Sequence, residues 1–300
     1  MNATAQVAWP IKRREIVEWV IDSRPWNDIV FRDDDIVICA WAKSGTTWMQ
    51  QILAQLILGG SDIYGPDVSP WIDGRFFSSA AADAEAQTHR RFLKSHLPID
   101  ATVYSPKAKY IYIGRDVRDT YWSWHNHQSS FTPEILGLIQ SFPGQESGRA
   151  SYPNPDIRLA FRDWLERDGY PNIPFFSHIQ GWFDARHLPN LKLFHYADLK
   201  ADFEGEVRRL VDFLGLELDE SRVTEILERC SLAHMKVLAR KNALHAKVFK
   251  QGGDSFINEG TNGRWRGVLT AEDIASADAA AARHLSADCA RWLATGELPD

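Results

Sequence analysis

The chain has 300 residues and a mass of 34.1 kDa, which fits one large α/β domain or two modest ones. Its 44% hydrophobic and 25% charged residues are typical of a globular protein, and its net charge of −6 argues against a nucleic-acid partner. Three widely spaced cysteines argue against a disulfide framework or a structural zinc site and favour a reducing cytoplasm, and no apolar run is long enough to span a membrane.

Short apolar runs alternate with longer helical patterns, which is typical of βα units around a mostly parallel sheet. In chain order, the sequence predicts a strand at 36–41, a helix from Thr47 that ends before Gly59, strands at 92–95, 110–113 and 191–195, a helix over 207–214, and a long helix from Thr270 to about Ala294. We therefore expect one α/β domain over 1–300, with a central mostly parallel sheet flanked by helices and a P-loop-like nucleotide-binding architecture.

Three stretches show no clear periodicity: 61–90, 129–155 and about 240–256. Because long loops in a compact domain are usually functional, we expect these segments to shape a substrate pocket. Trp71, Phe76 and Phe77 stand in the first stretch and are candidates for the pocket wall. Plain packing of the loop is the alternative interpretation.

The segment 40–48, AWAKSGTTW, lies between the first predicted strand and the first predicted helix. Backbone N–H groups and the positive end of the helix meet at such a junction, which suits a phosphate or a sulfate. Lys43 adds a positive charge, and Gly45 lets the backbone approach an anion. Hydroxyl groups come from Ser44, Thr46 and Thr47. An ordinary tight turn is the alternative interpretation.

This loop differs from the nucleoside-triphosphatase loop G-x-x-x-x-G-K-[ST], because its lysine precedes the glycine and no glycine opens it. No predicted strand ends in an obvious magnesium-binding aspartate. The sequence therefore predicts an anion site that works without a metal, which disfavours phosphoryl transfer.

Each predicted strand is followed by a residue suited to catalysis or nucleotide binding: Lys43, His96, Arg115 and Tyr196. Because the carboxyl ends of parallel strands meet at one edge of a sheet, we expect these side chains to face one crevice. They would supply a cation, a general base, a phosphate-binding group and an aromatic ring. The sequence thus predicts an active site at this edge.

Four segments between residues 36 and 266 stand in a fixed order: KSGTTW, KSHLP, YIYIGRDVRDTYWSW and GTNGRW. In this combination the chain resembles the cytosolic-type sulfotransferases, including bacterial members. The resemblance implies a donor, 3′-phosphoadenosine-5′-phosphosulfate, and in-line transfer of its sulfuryl group to a small-molecule or lipid hydroxyl acceptor. A hydrophobic phenol, alcohol or glycolipid fits the aromatic content of the irregular segments.

The resemblance also implies roles for individual residues. His96 would be the general base, Lys43 would stabilise the leaving phosphate, and Lys94 would lie beside the transferring group. The 5′-phosphate would bind to Lys43, Ser44, Gly45, Thr46 and Thr47. The 3′-phosphate would bind to Arg115, Ser123, Gly260 and Gly263. Ser123 would also be one of the catalytic residues. The adenine side would be formed by Trp48, Tyr196 and Ser231.

The chemistry of the transfer agrees with a histidine base. Phenols and alcohols are protonated at neutral pH, since even a phenol has a pKa of about 10. An imidazole with a pKa near 6.5 accepts their proton and contributes on the order of 10²–10⁴ in rate.

The sequence departs from the family pattern at Asn258 and Glu259, where many animal members have Arg-Lys. A carboxylate there does not bind phosphate, so the 3′-phosphate would depend on Arg115, Ser123, backbone N–H groups, and Arg264 or Arg266. The C-terminal motif by which family members dimerise is only partly present, and the resemblance does not extend to an oligomeric state.

Eight further histidines lack metal-like spacing, and structural or surface roles are expected for them: His125, His127, His178, His187, His195, His234, His245 and His284. Two alternative functions stay open. A P-loop metabolite or nucleotide kinase would need ATP and magnesium. The absence of a G-K-[ST] motif argues against this interpretation. A non-catalytic nucleotide-binding protein would need no base, against which His96 and Lys43 count.

Overall fold

The structure is a computed structural model that describes residues 7–143, 150–170 and 172–299. Its centre is a four-stranded parallel sheet with the strand order β2-β1-β3-β4. The strands are β1 Ile36–Cys39, β2 Phe92–Ser95, β3 Lys109–Gly114 and β4 Leu191–His195. Val37 of β1 pairs with Leu93 on one side and with Tyr110 on the other. The predicted α/β class with a parallel sheet is confirmed.

Helices of very different lengths surround the sheet. The longer ones are α1 Thr46–Ile57, α4 Val117–Ser129, α5 Pro133–Ser141, α6 Ile157–Glu166, α7 Phe175–Asp184, α9 Phe203–Leu214, α11 Leu232–Lys241, α14 Ala271–His284 and α15 Ala287–Thr295. The shorter ones are α2 Gly65–Val68, α3 Ala80–Ala86, α8 Tyr196–Ala201, α10 Val223–Arg229, α12 Ala243–Val248 and α13 Gly253–Phe256. Single 3-10 turns lie at Arg24–Asp28, Ile99–Ala101, Ala185–His187 and Glu220–Arg222.

The three segments predicted as loops contain helices. α2 and α3 lie within 61–90, α5 lies within 129–155, and α12 and α13 lie within 240–256. Residues 144–149 of the second segment lie outside the described residues. Each of these helices has nine residues or fewer, which is less than the window over which an apolar period can be read, so the sequence pattern missed them.

The sheet is covered on both faces because successive strand residues point to opposite sides. Val37 and Cys39 belong to one core, which contains many aromatic side chains. Ile36 and Ile38 belong to a second core with apolar residues of α1 and α9. All four residues of β1 are fully buried, as expected from its continuous apolar run.

β1 ends two residues earlier than the sequence predicts. The carbonyl oxygen of Ala40 accepts a hydrogen bond from the His96 ring at 2.8 Å. Trp41 buries its ring and donates Nε1–H to the carbonyl oxygen of Ile173 at 3.0 Å. These two residues therefore leave the strand ladder for side-chain contacts that an apolar pattern does not reveal.

The prediction of one long C-terminal helix is wrong, because α14 and α15 are separate helices. Leu285 between them has an extended backbone, with φ −116° and ψ 151°, and a buried side chain. The hydroxyl oxygen of Ser286 then caps the first turn of α15. The predicted capping box of Thr270 and the end of the second helix at Gly296 are confirmed.

Candidate active site

A cavity of about 560 Å³ lies at the carboxyl edge of the sheet. The residues that follow the four strands all line it: Lys43, His96, Arg115 and Tyr196. Ligands of open α/β sheets bind at this edge. The structure thus brings together the four side chains that the sequence placed at strand ends.

The loop between β1 and α1 has two residues in the left-handed region of backbone conformation, Lys43 at φ 70° and Gly45 at φ 125°. A Cβ atom at Gly45 would lie 3.0 Å from Cδ2 of Tyr196. α1 begins at Thr46, so the N–H groups of Thr46 and Thr47 belong to a first turn that lacks partners within the helix. The loop therefore presents N–H and hydroxyl donors to the cavity.

Two lysines reach the cavity, Lys43 from the loop after β1 and Lys94 from β2. Burial, with the nearby charges of Lys94 and Arg115, lowers the pKa of Lys43 to about 7. Burial lowers the pKa of Lys94 to about 8, although the negative charge of Asp73 acts in the opposite direction and raises it. Nζ of Lys94 lies 4.2 Å from the centre of the Trp71 ring. An anion in the cavity would relieve the repulsion between these cations, so the site favours a negatively charged ligand.

His96 directly follows β2, and only 5% of its surface is exposed. Its Nδ1 lies 2.8 Å from the carbonyl oxygen of Ala40, and because a carbonyl only accepts, Nδ1 carries the proton. Nε2 therefore keeps its lone pair. Burial, followed by the charge of Lys94, holds the pKa of His96 well below its ordinary value. The imidazole is neutral at pH 7 and suited to accept a proton.

Asp73 and His178 hold His96 in place. The carboxylate of Asp73 accepts the backbone N–H of His96 and the indole N–H groups of Trp71 and Trp26, each at 2.9 Å. His178 donates Nε2–H to the carbonyl oxygen of His96 at 3.2 Å. Sequence reasoning expected a structural or surface role for His178 and gave no role to Asp73, and it did not connect either residue with His96, because neither is close to it along the chain.

Arg115 joins three parts of the site. Its guanidinium group lies 4.1 Å from the centre of the Tyr196 ring. It donates hydrogen bonds to the carbonyl oxygens of Lys43 at 3.2 Å and of Thr261 at 3.1 Å, and to Oδ1 of Asn262 at 2.9 Å. Its side chain therefore ties the loop after β1 to the late glycine-containing segment.

That late segment forms one wall of the cavity, through Asn258, Glu259, Gly260, Thr261 and Arg264. The Tyr196 hydroxyl donates to the carbonyl oxygen of Gly260 at 3.2 Å. The backbone N–H of Gly263 donates to Asp119 at 2.7 Å. Glu259, the departure from the family pattern, thus lies at the cavity together with the cation of Arg264.

The other predicted donor-binding residues fall into two groups. Ser123 and Trp48 line the cavity, and the indole N–H of Trp48 donates to the carbonyl oxygen of Cys230 at 2.9 Å. Ser44, Ser231 and Gly263 are not part of its wall as the structure describes it. The Ser44 hydroxyl is buried with no hydrogen-bond partner among the described residues, and the Ser231 hydroxyl caps α11.

A second part of the cavity wall is aromatic. Trp71, Phe76 and Phe77 line it, which confirms the pocket-wall interpretation of these three residues. Further rings that sequence reasoning missed come from Trp19, Phe131, Phe249 and Phe256. Phe131 and Phe249 are joined by an isolated antiparallel bridge. Residues distant in sequence therefore meet here, most of them in the turns and isolated bridges between helices.

Two of the histidines for which structural or surface roles are expected, His127 and His245, line the cavity. Nδ1 of His127 lies 3.3 Å from Nζ of Lys43. The sequence contains a signal for this position. Ser123 and His127 are four residues apart on α4 and therefore share one helix face.

The comparisons with known proteins agree with this geometry. The family model described as "Sulfotransferase domain" matches residues 33–288. The chain belongs to the sulfotransferase family. A glycolipid sulfotransferase of Mycobacterium bovis is 32% identical to this sulfotransferase over 280 residues, covering 83% of this chain and 84% of the relative. Sulfotransferase 2A2 of Mus musculus is 28% identical and covers 89% and 87%.

Solved structures have the same fold as this sulfotransferase. Mouse sulfotransferase SULT7A1 complexed with PAP has a TM-score of 0.66 at 20% identity, covering 90% of this chain and 92% of that one. Retinol dehydratase in complex with androsterone and PAP has a TM-score of 0.68 at 20% identity, covering 89% and 87%. With the family established, the chain is a sulfotransferase enzyme, and the kinase and non-catalytic alternatives are set aside.

Two kinds of feature are absent from residues 7–143, 150–170 and 172–299 of this sulfotransferase. None of the helices is long and apolar enough to cross a membrane. No three or more His, Cys, Asp and Glu side chains are grouped so that they could hold a metal ion.

Proposed function

We propose that this sulfotransferase moves the sulfuryl group of 3′-phosphoadenosine-5′-phosphosulfate to the hydroxyl group of a hydrophobic acceptor. One observation carries the proposal. A neutral His96 and two lysines with lowered pKa values, Lys43 and Lys94, meet in a cavity that is lined both by a loop suited to an anion and by aromatic rings.

The donor end of the cavity comprises the loop 42–48, Arg115, Tyr196 and the segment 258–264. The loop suits the 5′-phosphate, since it combines helix N–H groups, a left-handed backbone and the buried, unpartnered Ser44 hydroxyl. We assign the 3′-phosphate to Arg115, Ser123, Gly260 and Arg264, and Gly263 supports this site from outside the cavity wall through its backbone hydrogen bond to Asp119. We assign the adenine side to Trp48, Tyr196 and Ser231, in which Ser231 acts through the cap of α11.

The bound donor supplies an activated sulfuryl group on a phosphate leaving group. Nε2 of His96 accepts the proton of the acceptor hydroxyl, because Nδ1 is occupied by its hydrogen bond to Ala40. Lys43 stabilises the negative charge that develops on the leaving oxygen, and Lys94 lies beside the transferring group. Both lysines act only in their charged form, so their lowered pKa values set an upper pH limit for turnover.

We propose that the transfer needs no metal, because Lys43, Lys94 and Arg115 already provide positive charge where the phosphates would bind. We also propose a cytoplasmic location. Cys39, Cys230 and Cys289 are free and buried, a state that fits a reducing compartment.

The acceptor end of the cavity comprises Trp71, Phe77, Phe131, Phe249 and Phe256. Rings at this density favour an apolar body next to the hydroxyl that reacts. The mycobacterial relatives are named glycolipid sulfotransferases, which supports a glycolipid beside simpler phenols and alcohols as the acceptor class.

Thermal unfolding with nucleotides tests the donor. A ligand at 100 times its Kd stabilises the native state by about 2.7 kcal/mol, which raises Tm by roughly several degrees for a protein of this size. We expect this increase with 3′-phosphoadenosine 5′-phosphate, and not with adenosine 5′-phosphate at equal concentration. An increase only with ATP and magnesium would contradict the assignment.

Transfer of ³⁵S from the labelled donor to a phenol, a long-chain alcohol and a glycolipid in detergent then tests the reaction. We expect label in at least one hydrophobic acceptor, without added metal and in the presence of a chelator. The variant Lys43→Met is the matched control and loses transfer. Label that appears only with a metal would contradict the proposed role of the lysines.

A further inference from the structure

His127 lies between the two ends of the cavity. It belongs to α4, one helical turn after Ser123, and its ring stacks on Trp124 with centres 5.9 Å apart. The rings of Phe131 and Phe249 lie 5.0 Å from it. Against these apolar neighbours, Nδ1 of His127 is a polar atom in an aromatic wall, and it lies 3.3 Å from Nζ of Lys43.

The chemistry of the two groups fixes the direction of this hydrogen bond. A charged lysine has three N–H donors and no lone pair, so Lys43 donates and Nδ1 of His127 accepts. The proton of the neutral imidazole is then on Nε2. Burial, followed by the charge of Lys43, holds the pKa of His127 well below its ordinary value, which agrees with a neutral ring.

We infer that His127 is a positioning residue for sulfuryl transfer, whose Nδ1 accepts a hydrogen bond from Lys43 and so keeps that amine charged and directed at the reacting group. The inference rests on the proposed role of Lys43. It assigns to α4 a second contribution to catalysis, next to the phosphate-binding role proposed for Ser123.

The surroundings explain why Lys43 needs such a partner. The titratable groups nearest to Lys43 are cationic or neutral. Lys94 and Arg115 are cations on β2 and directly after β3, and the neutral rings are His96 after β2, His127 on α4 and His245 on α12. Asp73 faces Lys94, and Asp119 faces Arg115. A neutral acceptor therefore stabilises the ammonium group of Lys43 without competing for it as a carboxylate would.

Two substitutions separate this role from simple packing. His127→Phe keeps an aromatic ring among aromatic neighbours but removes the acceptor. His127→Asn removes the ring but keeps a carbonyl oxygen near the position of Nδ1. If His127 only fills space, Phe is tolerated and Asn is harmful; if it holds Lys43, the order is reversed.

The pH profile of kcat/KM gives the decisive readout. Removing the acceptor disfavours the charged amine, so the pKa of Lys43 falls and activity at alkaline pH is lost earlier. For His127→Phe we expect the alkaline limb to move down by about one pH unit, with kcat at pH 7.5 lower by about tenfold. For His127→Asn we expect the midpoint of the alkaline limb to lie within about 0.3 pH units of that of the wild type. Equal limbs in wild type and His127→Phe would overturn the inference.

A binding measurement gives a readout that does not depend on turnover. We expect the affinity of the wild type for 3′-phosphoadenosine 5′-phosphate, measured by calorimetry, to fall as the pH rises and Lys43 loses its charge. In His127→Phe the fall begins at lower pH. If the wild type binds this nucleotide and both profiles coincide, the inference alone fails. If the wild type does not bind it, the proposed donor fails as well.

Discussion

The donor end and the acceptor end of the cavity are built in different ways. At the donor end, hydrogen bonds join groups at strand ends, as Arg115 does between the loop after β1 and the segment around Thr261. At the acceptor end, the rings of Phe131 and Phe249 come from residues joined by an isolated bridge, and they contact one another through apolar surface. Side-chain hydrogen bonds therefore hold Arg115 and the segments around it, and ring packing holds Phe131 and Phe249. We expect a substitution among the donor-end residues to change the donor KM and one among the acceptor-end residues to change the acceptor KM.

The largest expected effect is a loss of turnover on substitution of His96, the proposed base at which donor and acceptor react. His96→Asn removes the base, and we expect kcat to fall on the order of 10²–10⁴ while the Kd of 3′-phosphoadenosine 5′-phosphate changes by less than about threefold. Steady-state kinetics and calorimetry measure the two quantities. His195→Asn is the matched control, since His195 is a buried histidine at the end of β4 that does not line the cavity. Full turnover in His96→Asn would remove His96 from the mechanism.

A pair of substitutions with intermediate expected effects tests whether the donor end and the acceptor end respond separately. Phe77→Ala removes a ring from the acceptor end, and we expect the KM of a hydrophobic acceptor to rise about tenfold with the donor KM unchanged. Phe203→Ala removes the ring that packs against Trp48, with centres 4.9 Å apart, and we expect the donor KM to rise instead. Initial rates at varied concentrations of both substrates measure the two constants. If either variant raised both constants equally, the ends would not be independent.

The smallest expected effect concerns Glu259, the acidic residue at the donor end where many animal members of the family have a basic one. Glu259→Lys replaces a negative by a positive charge at the cavity wall, and we expect donor affinity to rise by about three- to tenfold at low salt. Because screening weakens such an effect, the gain shrinks as salt is added. Glu166→Lys, an exposed site at the end of α6 outside the cavity wall, makes the same charge change as a control. An equal gain in both variants would assign the effect to net charge.

The same contrast explains what the sequence alone predicted. The strands and the loop after β1 were readable, because continuous apolar runs and the residues directly after them are local in sequence. The break at Leu285 was missed, since it depends on burial of one side chain and on the cap at Ser286. The place of His127 was also missed, because its role depends on a contact with Lys43, which lies 84 positions earlier.

Asp73 has a consequence for how new acceptor specificities arise. Its carboxylate anchors both the base and the indole of Trp71, and Trp71 forms a parallel bridge with Lys94 that covers the edge of β2. The part of the acceptor wall next to the reacting atoms is thus fastened to the catalytic strand, whereas among the described residues the Asp73 side chain has no hydrogen bond to α3 or α12. Grafting of segments from related enzymes is therefore expected to preserve turnover when it replaces α3 or α12, and to abolish it when it removes Asp73.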